Sequence, residues 1–331
     1  MRLDEGTAGK STSLVAGGAG FLGCHLIDYL LHEGRSVICV DSFLTGTFEN
    51  VARFNGNENF TLVRQDVLDP LQIERPVDEV YNLACAASPP RYQADPHHTL
   101  MTSVVGTSNL LDFAMSQEAR FLQASTSEVY GDPEVHPQTE DYTGSVNCTG
   151  PRACYDEGKR AAEAMCFDFL RLGKVDARVA RIFNTYGPMM RADDGRIVST
   201  FIIQALRGRD LTVFGDGSQT RSFCYVSDLI EGLVRLMRVE PNPQAPVNLG
   251  NPAEFTVSEL AATVSKKIPS ARSIRRLPLP QDDPRRRRPD ISRAAMLLGW
   301  TPKIDLDEGL SRTIAWFREP EGATKITEAA E

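Results

Sequence analysis

Short apolar runs recur along the first half of the chain at residues 12–16, 36–40, 60–64, 77–83 and 121–124. Their length and their β-branched and aromatic content predict five strands. Between them, apolar residues at helical spacing predict helices over 21–31, 98–116 and about 152–172. Residues 42–58 and 132–151, rich in turn-forming and polar residues, read as loops. Strand and helix alternate throughout this half. That alternation predicts a parallel sheet covered on both faces, a Rossmann-type doubly wound α/β architecture.

The second half departs from simple alternation. A strand over 179–183 carries Asn184 at its tip, and a short strand over 211–214 ends in the turn Gly215-Asp216-Gly217. Helices are expected over 197–206, 228–237, 255–267 (capped by Thr256), 291–298 and 307–317, with a turn-rich connector at 241–246. This pattern predicts a smaller α/β domain interleaved with the first. Residues 11–185 would form the first domain, about 218–250 would return to it, 186–317 would be mainly the second, and 318–331 would be a polar tail.

The first strand runs into Gly17, Gly20 and Gly23, and a helix follows at once. Gly17 lets the chain turn hard, Gly20 lets backbone approach a pyrophosphate, and Gly23 lets helix pack on strand. The helix N-terminus then presents free N–H groups to the phosphates. The second strand ends in Asp41, where an acid accepts hydrogen bonds from an adenosine ribose. A carboxylate there repels a 2′-phosphate, so NAD is expected rather than NADP. Ser42 and Phe43 follow it, and no arginine does. Asp66, just past the third strand, suits either an adenine amino group or a helix cap. The small residues Ala84-Cys85-Ala86-Ala87-Ser88 after the fourth strand leave room for a ligand.

Composition narrows the class. The 331 residues carry 36 Lys and Arg against 44 Asp and Glu, a net charge of −8, which argues against nucleic acid or an anionic membrane as main partner. Cysteines 24, 39, 85, 148, 154, 166 and 224 follow no zinc spacing. They read as free thiols in a reducing, cytoplasmic compartment, with no metal expected. Residues 1–10 are polar, with no signal-peptide core, and no apolar run approaches the roughly eighteen residues of a membrane span.

The fifth strand ends in Ser125-Thr126-Ser127-Glu128, a cluster of hydroxyls and a carboxylate beside the expected nicotinamide position. Tyr155 and Lys159 lie one helical turn apart on one face. An ammonium near a phenol favours the phenolate, so Tyr155 is expected to have a lowered pKa and to act as a base.

Together these residues resemble the extended short-chain dehydrogenase/reductases, and within them the UDP-glucuronate decarboxylase (UDP-xylose synthase) branch. The resemblance runs from about residue 14 to about 317. It rests on the glycine turn, Thr126-Ser127-Glu128-Val129-Tyr130-Gly131-Asp132, Tyr155-Asp156-Glu157-Gly158-Lys159 and Arg181-Ile182-Phe183-Asn184-Thr185-Tyr186-Gly187-Pro188. Two later stretches are more specific: residues 219–228, and Gln281-Asp282-Asp283-Pro284 with Arg287-Arg288-Pro289-Asp290. Thr143, Cys148, Thr149 and Met189 depart from the family pattern.

The resemblance implies site residues. Phe21, Leu22, Asp41, Ser42, Phe43, Asp66, Val67, Leu83, Ala84 and Ala86 would join Gly17, Gly20, Tyr155 and Lys159 in holding NAD. Tyr92, Glu128, Asn184, Arg191, Arg221 and Arg287 would hold the nucleotide sugar, with Arg221 and Arg287 gripping its diphosphate. Arg285, Arg286 and Arg288 are expected to be mostly solvated. Thr126, Glu128, Tyr155 and Lys159 would be catalytic, Glu128 either handling a proton or orienting the sugar. The implied reaction oxidises UDP-glucuronate at C4, loses CO2 and re-reduces the 4-keto intermediate to UDP-xylose. Ser127 stands where 4,6-dehydratases carry an acid. Alternatives are a decarboxylase that releases the 4-keto pentose, a 4-epimerase, a 4,6-dehydratase, or an NAD-binding protein without catalysis. A homodimer through the helices at 98–116 and 152–172 is expected.

Overall fold

The computed structural model describes residues 10–279, 286–319 and 322. The first half runs β1 (Thr12–Ala16), α1 (Phe21–His32), β2 (Ser36–Asp41), α2 (Phe48–Ala52), β3 (Phe60–Arg64) and β4 (Glu79–Asn82). It continues through α3 (Pro89–Tyr92), α4 (Pro96–Met101), α5 (Thr107–Ser116), β5 (Arg120–Thr126), α6 (Ala153–Arg171) and β6 (Ala177–Ile182). Then come β7 (Thr185–Tyr186), α7 (Ile197–Leu206), β8 (Leu211–Phe214), β9 (Thr220–Ser222), β10 (Cys224–Tyr225), α8 (Val226–Arg238) and β11 (Val247–Leu249). The chain closes with β12 (Glu254–Thr256), α9 (Val257–Lys267), β13 (Ile274–Leu277), β14 (Arg286–Arg287), α10 (Ser292–Leu298) and α11 (Leu306–Arg318).

Seven strands form one parallel sheet in the order β11-β6-β5-β4-β1-β2-β3. Alternate residues of each strand face opposite sides. Val15, Cys39, Tyr81 and Leu122 pack in one core with Leu26 and Leu30 of α1 and Leu229 and Leu233 of α8. Their neighbours Leu14, Ile38, Val80 and Phe121 pack in another with Leu110 and Leu111 of α5 and Cys166 of α6. Both faces are therefore covered, which is why these strands read as continuous apolar runs. The strand order reverses between β1 and β4, so a crevice opens at their carboxyl ends.

Three small sheets, β10-β7, β12-β9-β14 and β13-β8, stand beyond that crevice. The chain reaches them after β6, then returns through α8 and β11 to the main sheet. Thr256 and Glu259 form a reciprocal cap that starts α9. The stretch expected as one helix over 98–116 is α4 and α5 joined by a π-helical turn at Thr102–Gly106. There Thr102 Oγ1 turns back to the His98 carbonyl at 2.8 Å, a bond that competes with the helical ladder. The loop at 42–58 contains the short helix α2. No described helix is long and apolar enough to cross a membrane. The Gln281-Asp282-Asp283-Pro284 motif, Arg285 and most of the polar tail lie outside the described residues.

Candidate active site

Gly17, at φ +77°, turns the chain under β4; a Cβ there would stand 2.8 Å from the Leu83 carbonyl. A Cβ on Gly23 would stand 2.2 Å from the Gly17 carbonyl, so only glycine lets α1 close on the turn. Gly20 differs: its Cβ would meet only Gly17 O, at 3.2 Å. It is the N-cap of α1 and no side chain caps that helix. The first-turn amides therefore face the crevice as an anion site. This cradle suits a dinucleotide pyrophosphate.

Asp41 is buried, and its carboxylate accepts from the amides of Ala19 at 2.9 Å and Phe43 at 2.7 Å. Burial raises its pKa against these two hydrogen bonds. Asp66 is neither a simple helix cap nor a free acceptor. Oδ1 accepts from the Leu68 amide at 3.0 Å, and Oδ2 faces His98 Nε2 at 3.0 Å. Ser42, Val67, Leu83, Ala84 and Ala86 line the same crevice, as do Phe21 and Leu22. Phe43 does not: at φ 63° it turns toward Arg64, whose guanidinium lies 5.7 Å from the ring centre.

Beyond the cradle, β5 delivers Thr126 and α6 delivers Tyr155, which share a hydrogen bond. Tyr92 stacks on the Tyr155 ring at 5.0 Å and 3°. Lys159 Nζ donates to the Ala124 carbonyl at 2.8 Å and lies 5.9 Å from the Tyr155 ring centre. The expected lowering of the Tyr155 pKa is not found. Burial pushes the phenol well up, and the nearby Cys85 and Glu128 push the same way. The Thr126 hydrogen bond and the Arg196 charge pull it down by less. Burial also lowers Lys159. Desolvation outweighs the ammonium in this dry pocket.

Glu128 receives both nitrogens of the Arg287 fork, at 2.6 and 2.8 Å, and a further bond from Arg152. Burial alone would raise its pKa. Arg287 and Arg152 override it and hold the carboxyl down at about 2. Of the two roles expected for Glu128, handling a proton or orienting the sugar, a carboxyl held this low suits the second better. The two arginines expected to grip a diphosphate lie side by side. Arg287 and Arg221 are register partners on β14 and β9, but the Arg287 fork is spent on Glu128. Arg221 is buried and donates to the Thr220 carbonyl at 2.8 Å. Arg286 is exposed, whereas Arg288, expected in solvent, is half-buried.

Ser127, Asn184, Arg191 and Met189 line the crevice. Arg191 pairs with Asp193 at 2.8 Å, and Arg91 from α3 pairs with the same carboxylate. Met189 holds the left-handed φ of 66°. Tyr92, Arg221 and Arg287 stand behind the lining rather than in it. Sequence reasoning missed Arg152, Arg196, His98 and Asp156. Arg196 lines the crevice, pairs with Asp194 at 2.6 Å and bears on Tyr155. Asp156, next to Tyr155, is buried, with Oδ1 unpartnered among the described residues. Burial and the Glu128 charge push its carboxyl up to about 7. Only the helical spacing of Arg152 to Asp156 could have marked this pair. Among the described residues no side-chain cluster has the make-up of a metal site.

A glycine cradle at the switch point of a parallel sheet, with Tyr155 and Lys159 of α6 beside it, defines a dinucleotide-binding class of protein. The chain belongs to the NAD dependent epimerase/dehydratase family, whose model matches residues 13–250. It is 56% identical over 304 residues to UDP-glucuronic acid decarboxylase 1 of Danio rerio, covering 92% of this chain and 72% of that one. UDP-glucuronic acid decarboxylase 6 of Arabidopsis thaliana is 53% identical over 313 residues, covering 94% and 90%. Among solved structures, UDP-glucuronic acid 4-epimerase from Bacillus cereus, in complex with UDP-glucuronic acid and NAD, superposes with a TM-score of 0.82 at 26% identity. That match covers 93% of this chain and 99% of the epimerase.

Proposed function

We propose that the protein is an NAD-dependent UDP-glucuronate decarboxylase that forms UDP-xylose. One observation carries the reading. The Thr126–Tyr155 contact is intact beside an ionised Glu128 and a non-acidic Ser127, in a chain more than half identical to decarboxylases.

NAD held along the cradle would supply the hydride acceptor, and later the hydride donor, for the sugar C4. Gly17, Gly20, Phe21 and Leu22 would hold its pyrophosphate. Asp41 and Ser42, with the Phe43 backbone beside them, would hold the ribose, and Asp66 and Val67 the adenine. Leu83, Ala84, Ala86 and Lys159 would border the nicotinamide half. Tyr155 takes the proton of the C4 hydroxyl. Oxidation leaves the C6 carboxylate β to a ketone, so loss of CO2 drives electrons onto the C4 oxygen. Thr126 and Tyr155 donate to that oxygen and stabilise the enolate, which takes a solvent proton at C5 before C4 is reduced. Lys159 and Arg196 supply the positive charge that offsets the burial cost of a Tyr155 phenolate. Glu128, locked by two arginines, orients the sugar. Asn184 and Arg191 would line the nucleotide-sugar site, with Tyr92 and Arg221 supporting it from behind. Ser127 offers no acid to protonate a departing C6 hydroxyl, which disfavours dehydration.

Residues 11–185 with 218–250 then serve as the NAD-binding domain, and 186–317 mainly as the substrate domain. A homodimer through α4–α6 is supported by the exposed apolar side chains of Leu100, Met115 and Leu172 on or beside these helices. A cytoplasmic setting is supported by seven cysteines that form no disulfide with one another.

The test is incubation with UDP-glucuronate and NAD, with products identified by NMR. UDP-xylose and CO2 without net NADH is the expected result. A C4-inverted uronate would make the protein an epimerase. A 4-keto pentose with accumulating NADH would show that the return of hydride is missing.

A further inference from the structure

Arg287 reaches Glu128 from a very short strand. β14 spans Arg286–Arg287, and its one partner strand among the described residues is β9. So brief a pairing holds its register weakly, and a slip of one residue would turn Arg287 to the other face. The residues just after β14 supply the missing hold. The Arg288 amide donates to Gln138 Oε1 at 2.8 Å, and the Gln138 amide donates to the Arg288 carbonyl at 2.9 Å. The Asp290 amide donates to the Gln138 carbonyl at 2.9 Å. One residue thus meets both backbone groups of Arg288, immediately after Arg287.

The direction of the Gln138 amide is fixed by its partners. Nε2 donates to the Val135 carbonyl at 2.9 Å while Oε1 accepts from the Arg288 N–H. A flipped amide would fail at both ends. Gln138 is fully buried, so its loss would strand a backbone group away from water. Asn248 of β11, equally buried, joins the two sides of the contact. Its Nδ2 donates to the carbonyls of Gln138 and Asp290, each at 3.0 Å, and its Oδ1 accepts from the Tyr130 hydroxyl at 2.7 Å. Tyr130 ends the tight turn that carries Glu128. The same buried bracket therefore grips the chain just beyond Arg287 and just beyond Glu128.

We propose that Gln138 is a positioning residue: with Asn248 it sets β14 so that the Arg287 fork meets the Glu128 carboxylate. Gln138 does not line the crevice and acts through Arg287. The consequence for turnover rests on the proposed reaction, in which Glu128 orients the sugar. The other groups facing Glu128 are Arg152 at the start of α6, Tyr155 and Asp156 on α6, and Tyr92 on α3.

Gln138→Met keeps the side-chain length and removes both amide bonds. A shift of Arg287 by about 1 Å should lower kcat/KM for UDP-glucuronate by about 10- to 100-fold, while NAD binds as in wild type. Arg287→Met should lose at least as much, and adding Gln138→Met to it should cost little more. A second measurement needs no turnover. Arg287 helps to hold the Glu128 carboxyl at about 2, so loosening it lets that carboxyl rise toward its ordinary range. The stability that Glu128 contributes over Glu128→Gln should then be lost at a higher pH in the Gln138→Met background, read by urea unfolding from pH 2 to about 5. Circular dichroism checks each fold. Should Gln138→Met not fold, Gln138→Asn, shorter by one methylene, is read in the same way. Wild-type kinetics in the variant, additive losses in the double variant, or an acid limb that stays in place overturns the inference. No turnover of UDP-glucuronate by wild type overturns the proposed reaction instead, and the unfolding series still decides the role of Gln138.

Discussion

Arg287 closes on both carboxylate oxygens of Glu128, at 2.6 and 2.8 Å, across 159 residues of sequence. The contact ties β14, from the far end of the chain, to the turn that follows β5. Arg152 completes the cluster from α6. A buried pair of this kind is a poor source of net stability but costly to break on one side. Arg287→Met should therefore destabilise the fold by about 1 to 3 kcal/mol, less than a lone buried pair because Arg152 remains. A double-mutant cycle with Glu128→Gln, followed by urea unfolding, should show strong coupling. Simple additivity would count against the locked cluster.

The same cluster sets an acid limit. The Glu128 carboxyl lies at about 2 in the fold against an ordinary 4.5. A depressed pKa contributes stability that is present above the ordinary value and is lost as pH falls toward the folded one. Wild type should lose its advantage over Glu128→Gln between about pH 4.5 and 2. An advantage that persists at pH 2 would refute the assignment.

Asp156 has the opposite sign. Burial and the Glu128 charge raise its carboxyl from 3.8 to about 7. Ionising it penalises the fold from about pH 4 upward, and the penalty is complete above about pH 7. Asp156→Asn should be neutral near pH 4 and stabilising by on the order of 1 to 2 kcal/mol at pH 8. Melting curves at the two pH values decide it, and a variant less stable than wild type at pH 8 would reject the penalty.

Tyr155→Phe removes the proposed base and leaves the ring stack with Tyr92. Turnover of UDP-glucuronate should fall by about 10²- to 10⁴-fold while NAD still binds. Near-normal turnover would remove Tyr155 from the mechanism.

Two glycines of the cradle separate fold from ligand. A Cβ at position 23 meets backbone at 2.2 Å, whereas one at 20 meets a single carbonyl at 3.2 Å. Gly23→Ala should destabilise the protein by about 1 to 3 kcal/mol or more. Gly20→Ala should hold its melting temperature within a few degrees and lose NAD affinity. Equal effects on stability would mean that the cradle is structural throughout.

The dimer is tested by size exclusion with light scattering. A mass near twice the chain's 36.5 kDa is expected, and a monomer at micromolar concentration would count against it.

Local signals carried most of what could be read in advance. Apolar runs marked β1, β2, β4 and β5 because each is buried on both faces. The glycine turn and Asp41 were legible because a dinucleotide site needs particular backbone shapes at fixed spacing. Tyr155 and Lys159 were legible because a helix puts such residues on one face. The small elements β7, β9, β10, β12 and β14 were not. They span two or three residues each and exist only through their partners, so no periodicity announces them.

The chain's own residue order was enough to determine the doubly wound sheet, the cradle, and the hydroxyl, phenol and ammonium beside it. These depend on neighbours within a turn or two. Tertiary structure alone decided what charge each group carries. It set Arg287 and Arg152 on Glu128, pushed the Asp156 carboxyl up beside them, and buried Tyr155 so deeply that its phenol rose where an adjacent lysine had promised a fall. Proton affinities depend on burial and on charges brought together from distant segments, and no local spacing encodes either.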